Sequence, residues 1–320
     1  MSVENLIKHK QCLAIMGPTA SGKSQLSMDL ATHYSVEIIS VDSALIYRGM
    51  DIGTAKPTPE EMALVPHHLI NTHEATESYS ASEFVEDVHR LVEDIFARGH
   101  LPVLVGGTMM YFNALQQGMN DLPAADEEIR VKLQKLWQET PDVLHQRLLE
   151  LDPVSAERIH KNDPQRLIRA LEVFEVSGKT LTELRAEPKK GLTAFGLIKI
   201  GMIPLARPRL HQQIINRFNR MLDQGFLKEV EGLISRGNLD PDMTSIRSVG
   251  YRQAWSFLMG EADYETFVEK GIIATRQLAK RQMTWLRKEE DLNAIDPFST
   301  TREQRLKIVA DLIESYKPNH

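Results

Sequence analysis

Residues 11–24 read Gln11-Cys-Leu-Ala-Ile-Met16 and then Gly17-Pro-Thr-Ala-Ser-Gly22-Lys23-Ser24, an apolar strand running into a glycine-rich turn. The second half fits G-x-x-x-x-G-K-[ST], the phosphate loop, and it sits where that loop works, between a strand and the start of a helix. Glycines let backbone N–H groups turn inward around an anion, and the helix N-terminus adds a favourable dipole. Lys23 supplies a mobile charge and the Ser24 hydroxyl can hold Mg²⁺. The stretch predicts a di- or triphosphate site at Gly17, Thr19, Ala20, Ser21, Gly22, Lys23 and Ser24.

Working outward, residues 36–41 are β-branched at four of six positions and read as a second strand, with a weaker third at 68–71. Ser80-Ala-Ser-Glu83 has capping-box spacing and opens an amphipathic helix through Ala97, stopped by Gly99. Residues 101–105 read as a buried strand. Strands separated by helices of this length imply βαβ units and a parallel, doubly wound α/β sheet. After Gly118 the chain turns helical and charged, and strand character returns at 195–202. Helices are then expected at 207–224, 226–235, 251–259 and 264–288. The expected organisation is a P-loop NTPase-like core with C-terminal helices, residues 1–120 plus 194–320, interrupted by an all-helical insertion at 121–193.

At 320 residues the chain has room for about two domains. With 42% hydrophobic and 26% charged residues it is neither collagenous nor largely disordered. Its apolar runs are strand-sized and its first ten residues are polar, so neither a membrane span nor a secretory signal is expected. One cysteine, Cys12, forbids an intrachain disulfide framework and a Cys-rich zinc site. The expected location is the reducing cytoplasm. A net charge of −6 argues against a general nucleic-acid coat. The average hides residues 274–288, where Arg276, Lys280, Arg281, Arg287 and Lys288 occur with no acid. At about 100° per residue, Arg276, Lys280 and Arg287 share one narrow arc, a stripe able to track a phosphate backbone.

By motif the loop is nucleotide-binding, ATP first. Two features resist an ATPase or kinase. No Walker-B Asp ends the strand Leu101-Pro-Val-Leu-Val105, which runs into Gly106-Gly-Thr108, and no Asn-Lys-x-Asp reads guanine. Asp42 instead follows the second strand, at the edge where α/β sheets bind ligands. There it could ligate Mg²⁺ through water, accept a proton from a bound nucleophile, or merely cap its turn. The histidines, His67-His68 included, have no ligand spacing. Trp137, Trp255 and Trp285, Met109-Met110 and Cys12 read as packing residues.

The phosphate loop, then Ser40-Val-Asp-Ser-Ala-Leu-Ile-Tyr47, Asp51-Ile-Gly-Thr-Ala-Lys-Pro57 and Val105-Gly-Gly-Thr108, resemble the bacterial tRNA dimethylallyltransferases. Asp163-Pro-Gln-Arg-Leu-Ile-Arg-Ala-Leu-Glu172, Ser245-Ile-Arg-Ser-Val-Gly-Tyr-Arg-Gln253 and Thr275-Arg-Gln-Leu-Ala-Lys-Arg-Gln-Met-Thr-Trp-Leu-Arg287 extend the match in order. The zinc finger of eukaryotic relatives has no counterpart in a chain with one cysteine. The resemblance implies transfer of a dimethylallyl group to N6 of the adenosine 3′ to a tRNA anticodon. Dimethylallyl diphosphate, with Mg²⁺ on Ser24, would then occupy the phosphate loop. It implies Asp42 as base, Arg217 on the diphosphate and Thr108 on the target nucleotide. It also implies tRNA contacts at Ser43, Ala44, Leu45, Arg130, Gln165, Arg166, Leu167, Arg169, Arg247, Gly250, Tyr251, Arg252, Lys280, Arg281 and Arg287. The partners expected are the tRNA anticodon stem-loop and dimethylallyl diphosphate, with no membrane and no obligate protein. An adenylate isopentenyltransferase, a small-molecule kinase and a nucleic-acid-binding protein with a vestigial loop are the rival readings.

Overall fold

The computed structural model describes residues 3–188 and 194–317, so residues 189–193, where the insertion is expected to end, lie outside the described residues. The chain divides into two compact units, Met1–Ala114 with Thr193–His320, and Leu115–Leu192. In the first, α1 (Val3–Lys8) leads to β1 (Gln11–Met16), the glycine-rich turn and α2 (Lys23–Ala31). Then come β2 (Val36–Val41), α3 (Pro59–Leu64), β3 (His67–His68), α4 (Ala81–Ala97) and β4 (Leu101–Gly106). α5 (Met109–Gln117) carries the chain onward to α6 (Glu127–Glu139), α7 (Pro141–Leu151), α8 (Pro153–Arg158), α9 (Pro164–Ser177) and α10 (Leu181–Ala186). β5 (Gly196–Met202) rejoins the sheet, followed by α11 (Arg207–Asp223), α12 (Phe226–Ile234), α13 (Tyr251–Leu258), α14 (Tyr264–Leu286), β6 (Asn293–Ile295) and α15 (Arg302–Ser315).

The α/β fold is as expected: a six-stranded sheet in the order β3-β2-β4-β1-β5-β6, with every pairing parallel. β2 and β4 are buried at every position, which is why they read as near-continuous apolar runs. Leu13, Ile15, Val103, Val105 and Ile200 pack with Leu26 and Leu30 of α2 and Val309 and Ile313 of α15. Ser80 and Glu83 form the anticipated capping box of α4. The second unit has its own core, in which Leu133, Leu144, Leu148, Leu167, Leu171 and Leu184 cluster. Because the strands are parallel, the carboxyl ends of β1, β2 and β4 open on one edge of the sheet.

The structure departs from expectation at several points. The third strand is His67–His68 rather than 68–71, because Leu69 (φ 59°) and Asn71 (φ 54°) take left-handed conformations that cannot continue a ladder. β6 was not anticipated, being three residues long and without alternation. α15 was not anticipated either, although Thr301 and Gln304 form a capping box that announces it.

Glu37, near the start of β2 and 3% exposed, holds the sheet edge together. Its Oε1 accepts from Arg98 Nε (2.8 Å) and meets His100 Nδ1 (2.8 Å), while Oε2 accepts from Arg98 Nη2 (2.8 Å) and meets His68 Nε2 (2.7 Å). The Arg98 hydrogen bonds, helped by the two histidines and opposed by burial, hold the carboxyl down at about 2 from its usual 4.5. A carboxylate with a depressed pKa contributes stability that is complete above its unfolded value. That contribution fades as pH falls from about 4.5 through about 2. Glu37→Gln should therefore lower stability at neutral pH by about 1–3 kcal/mol. It should also flatten the acid limb of the stability curve, measured by urea unfolding across the acid range.

Candidate active site

The turn after β1 is shaped by close approach. A Cβ on Gly17 would lie 2.7 Å from Ser21 Oγ and 2.9 Å from Met202 O. Ala20 (φ 62°) and Gly22 (φ 85°) are left-handed, which curls the loop's N–H groups toward one centre. Gly22 caps α2 without a side-chain hydrogen bond, so the first-turn N–H groups can face an anion. Lys23 is half-buried and its Nζ donates to Pro18 O at 2.7 Å. Burial pushes this ammonium down from 10.5 to about 7; the Asp42 charge opposes the shift and Arg217 adds to it.

The ends of β2 and β4 form the facing wall. Asp42 Oδ1 accepts from Ala44 N (2.8 Å), which fixes the turn that carries Ser43, Ala44 and Leu45. Thr108 Oγ1 accepts from Ser43 N (3.2 Å), and Thr108 N donates to Val41 O (3.2 Å). A Cβ on Gly106 would stand 1.9 Å from Val41 O, so only glycine lets these strand ends meet. Arg217, from α11, donates through Nη2 to Thr54 O (2.9 Å). Burial lowers its pKa, with Asp42 opposing and Arg220 adding.

Two residues that sequence reasoning passed over tie these pieces together. Gln282 of α14, 9% exposed, accepts from Thr19 N through Oε1 (2.9 Å) and donates from Nε2 to Gly107 O (2.9 Å). Glu229 of α12 accepts from the successive N–H groups of Asp51 (2.8 Å), Ile52 (2.7 Å) and Gly53 (3.1 Å), and from the Tyr251 hydroxyl (2.5 Å). Glu229 thereby sets the loop whose Thr54 holds Arg217. Gln282 falls inside the resembling block 275–287 but nothing beside it marks its partners, and Glu229 on its amphipathic helix carries no local signal.

Together these residues enclose a cavity of about 920 Å³ in the first unit. It is lined by Thr19, Ala20, Ser21, Gly22, Lys23 and Ser24, by Asp42, Ser43, Ala44 and Leu45, and by Thr108, Arg217, Arg247, Gly250, Tyr251 and Arg281. Gly17 stands behind them at the strand end. Met110, Leu278 and Trp285 give the cavity an apolar wall. Trp285, 42% exposed, and Met110, 55% exposed, are therefore lining residues, a correction to their reading as packing; Trp255 and Met109 are buried. The face of α14 turned to the cavity carries Thr275, Leu278, Arg281, Gln282 and Trp285. The charge arc of Arg276, Lys280 and Arg287 missed that face because it weighed cations alone. Lys280 is exposed on α14, as are Arg287 at its C-cap and Arg252 on α13.

Two side chains expected at a tRNA surface are buried instead. Tyr251 is 0% exposed, with its hydroxyl on Glu229, because it packs in the core between α12 and α13. Leu167 is 0% exposed because it faces the second unit's core. In that unit Glu172, 0% exposed, meets Arg130 Nε (2.8 Å) and Arg169 Nη1 (2.6 Å). Arg166 is exposed, 3.5 Å from Asp163. Gln165 lies beside it in the first turn of α9. Among the described residues no group of three or more His, Cys, Asp or Glu could hold a metal ion. The oxygen donors present, the Ser24 hydroxyl and the Asp42 carboxylate, suit a hard cation whose remaining ligands are phosphate oxygens and water. Among the same residues no helix is long and apolar enough to cross a membrane.

The family model described as IPP transferase matches residues 45–289. A tRNA dimethylallyltransferase of Hydrogenovibrio crunogenus is 62% identical over 320 residues, covering 100% of this chain and 99% of the relative. One from Methylococcus capsulatus is 52% identical over 280 residues, 87% of this chain and 90% of the relative. Among solved structures, a tRNA isopentenylpyrophosphate transferase from Bacillus halodurans superposes with a TM-score of 0.70 at 35% identity, covering 95% of this chain and 96% of that one. A eukaryotic dimethylallyltransferase acting on tRNA gives 0.78 at 28% identity, covering 97% and 80%.

Lys23 titrates near pH 7 without ligand, so an anion that recharges it must bring in a proton. Above about pH 7, pyrophosphate binding to the wild type should take up more protons than binding to Lys23→Met. Well below that pH the difference should vanish, since Lys23 is then already charged. Calorimetry in buffers of different ionisation enthalpy measures it, and the subtraction removes the ligand's own titration.

Proposed function

The chain belongs to the IPP transferase family, and on that premise we propose that it is a prenyltransferase acting on tRNA. It moves the dimethylallyl group of dimethylallyl diphosphate to N6 of adenosine 37, beside the anticodon, and releases diphosphate. One observation carries the reading. A phosphate loop, an apolar wall and a strand-end carboxylate share one cavity, and the strand beside them ends in glycines where a nucleotide hydrolase would place its acid.

The loop N–H groups, Lys23 and Arg217 hold the diphosphate and stabilise the charge that grows as the C1–O bond breaks. Met110, Leu278 and Trp285 offer apolar surface to the five-carbon group. The N6 amine attacks C1, the N6–C1 bond forms, and the amine proton passes to Asp42. Thr108, hydrogen-bonded to Ser43 N beside Asp42, contacts the target nucleotide. The Ser24 hydroxyl, with the Asp42 carboxylate on the facing wall, would hold Mg²⁺, which would supply charge neutralisation for the diphosphate.

The tRNA anticodon stem-loop meets Arg247, Gly250, Arg252, Lys280, Arg281 and Arg287 of the first unit. It also meets Arg130, Gln165, Arg166 and Arg169 of the helical insertion, residues 121–193. Glu172 supports that role by orienting Arg130 and Arg169 while their side chains stay partly exposed, at 40% and 31%. Bases in single-stranded loops can be splayed out, and the reacting base must leave its stack to enter a cavity.

The test incubates the protein with dimethylallyl diphosphate, Mg²⁺ and unmodified tRNA, followed by nucleoside mass analysis. A five-carbon addition confined to one adenosine is expected, and modification of free nucleotides in preference to tRNA would overturn the reading. Asp42→Asn should slow single-turnover transfer by about 10²–10⁴-fold with diphosphate affinity little changed. A surviving rate with altered Mg²⁺ dependence would make Asp42 a metal organiser instead.

A further inference from the structure

Gln282 of α14 is buried and bonded to two separate cavity loops. Its amide orientation is chemically forced: Thr19 N–H can only donate, so it takes Oε1, and Gly107 O can only accept, so it takes Nε2. The two loops have different tasks. Thr19 belongs to the turn that grips the diphosphate, and Gly107 immediately precedes Thr108, which braces the turn carrying Asp42. Gly107 is shaped for this contact, since a Cβ there would lie 2.3 Å from Gln282 Nε2. The neighbours of Gln282 on the same face, Arg281 and Trp285, line the same cavity.

We propose that Gln282 is a positioning residue for the transfer. Its amide sets the spacing between the diphosphate-gripping turn and the Gly107–Thr108 turn, and so holds the electrophilic carbon in register with the amine and Asp42. It touches neither reacting atom. Misplacing reactants by about 1 Å can cost on the order of 10²-fold in rate. A spacer of this kind therefore acts on kcat more than on the affinity of either substrate. The proposal rests on the prenyl-transfer reading of the cavity.

Gln282→Met keeps the length and removes both hydrogen bonds. Its kcat with dimethylallyl diphosphate and tRNA should fall by about 10–100-fold, while KM for tRNA and pyrophosphate affinity by calorimetry change less than about 3-fold. Gln282→Glu gives a pH signature that packing alone would not. When protonated, the introduced carboxyl accepts from Thr19 N–H and donates to Gly107 O as the amide does; when ionised, it repels Gly107 O. The ratio of its kcat to the wild-type kcat should rise as pH falls, whereas the ratio for Gln282→Met should stay flat. Lys23, Asp42, Arg217 and Arg281 line the cavity of both enzymes alike, so the ratio removes their effects. Circular dichroism and thermal melts identify a variant that fails to fold, and the other variant then decides. A Gln282→Met kcat within about 2-fold of wild type, or a Gln282→Glu ratio independent of pH, would overturn the positioning role. A wild type with no transfer to tRNA would instead overturn the reading on which it rests.

Discussion

A parallel sheet cannot satisfy the backbone past the carboxyl ends of its strands, and the cavity of this protein is built on that open edge. β1, β2 and β4 finish side by side, and the turns that leave them must find partners among themselves or in a ligand. Gly106 lets β4 press against Val41 O, Thr108 closes onto Val41 and Ser43, and Gly17 clears Met202 O. The glycine-rich loop, the Asp42 turn and the Gly107–Thr108 turn are thereby forced into one wall. The helices after β5 supply the opposite side, with Arg217 from α11 and Gln282 from α14.

The electrostatics of that cavity match an anionic ligand better than an empty state. Lys23 and Arg217 are both pulled below their ordinary pKa values by burial, with Asp42 opposing both shifts and Arg217 adding to that of Lys23. A diphosphate entering the cavity would recharge Lys23 and be neutralised by it together with Arg217. An interaction between charges in a water-poor cavity is worth more than the same contact on the surface. Glu229 keeps the arrangement rigid at a distance, since three successive N–H groups on one carboxylate hold the loop that anchors Arg217.

Much of this was legible from local chemistry. The phosphate loop, the α4 capping box and helices α11 to α14 follow from glycine placement, cap spacing and apolar periodicity, all of which act within a few residues. Residues whose role depends on a distant partner were not legible. Gln282 bonds Thr19 across 263 positions and Glu229 bonds Asp51 across 178, and nothing near either residue marks the contact. The same limit explains Trp285 and the α14 stripe. A periodicity argument finds the faces of a helix, but which face meets a cavity is decided by elements elsewhere in the chain. Leu69 is a further case, since its left-handed backbone ends a strand that composition would extend.

The central claim is that this phosphate loop serves a prenyl diphosphate rather than a nucleoside triphosphate. Thermal denaturation with equal concentrations of dimethylallyl diphosphate or ATP, each with Mg²⁺ and with or without tRNA, tests it most directly. A ligand stabilises the fold by RT ln(1 + [L]/Kd), so the larger shift marks the tighter ligand. The account predicts greater protection by dimethylallyl diphosphate, lost in Lys23→Ala. Greater protection by ATP, with and without tRNA, would contradict it.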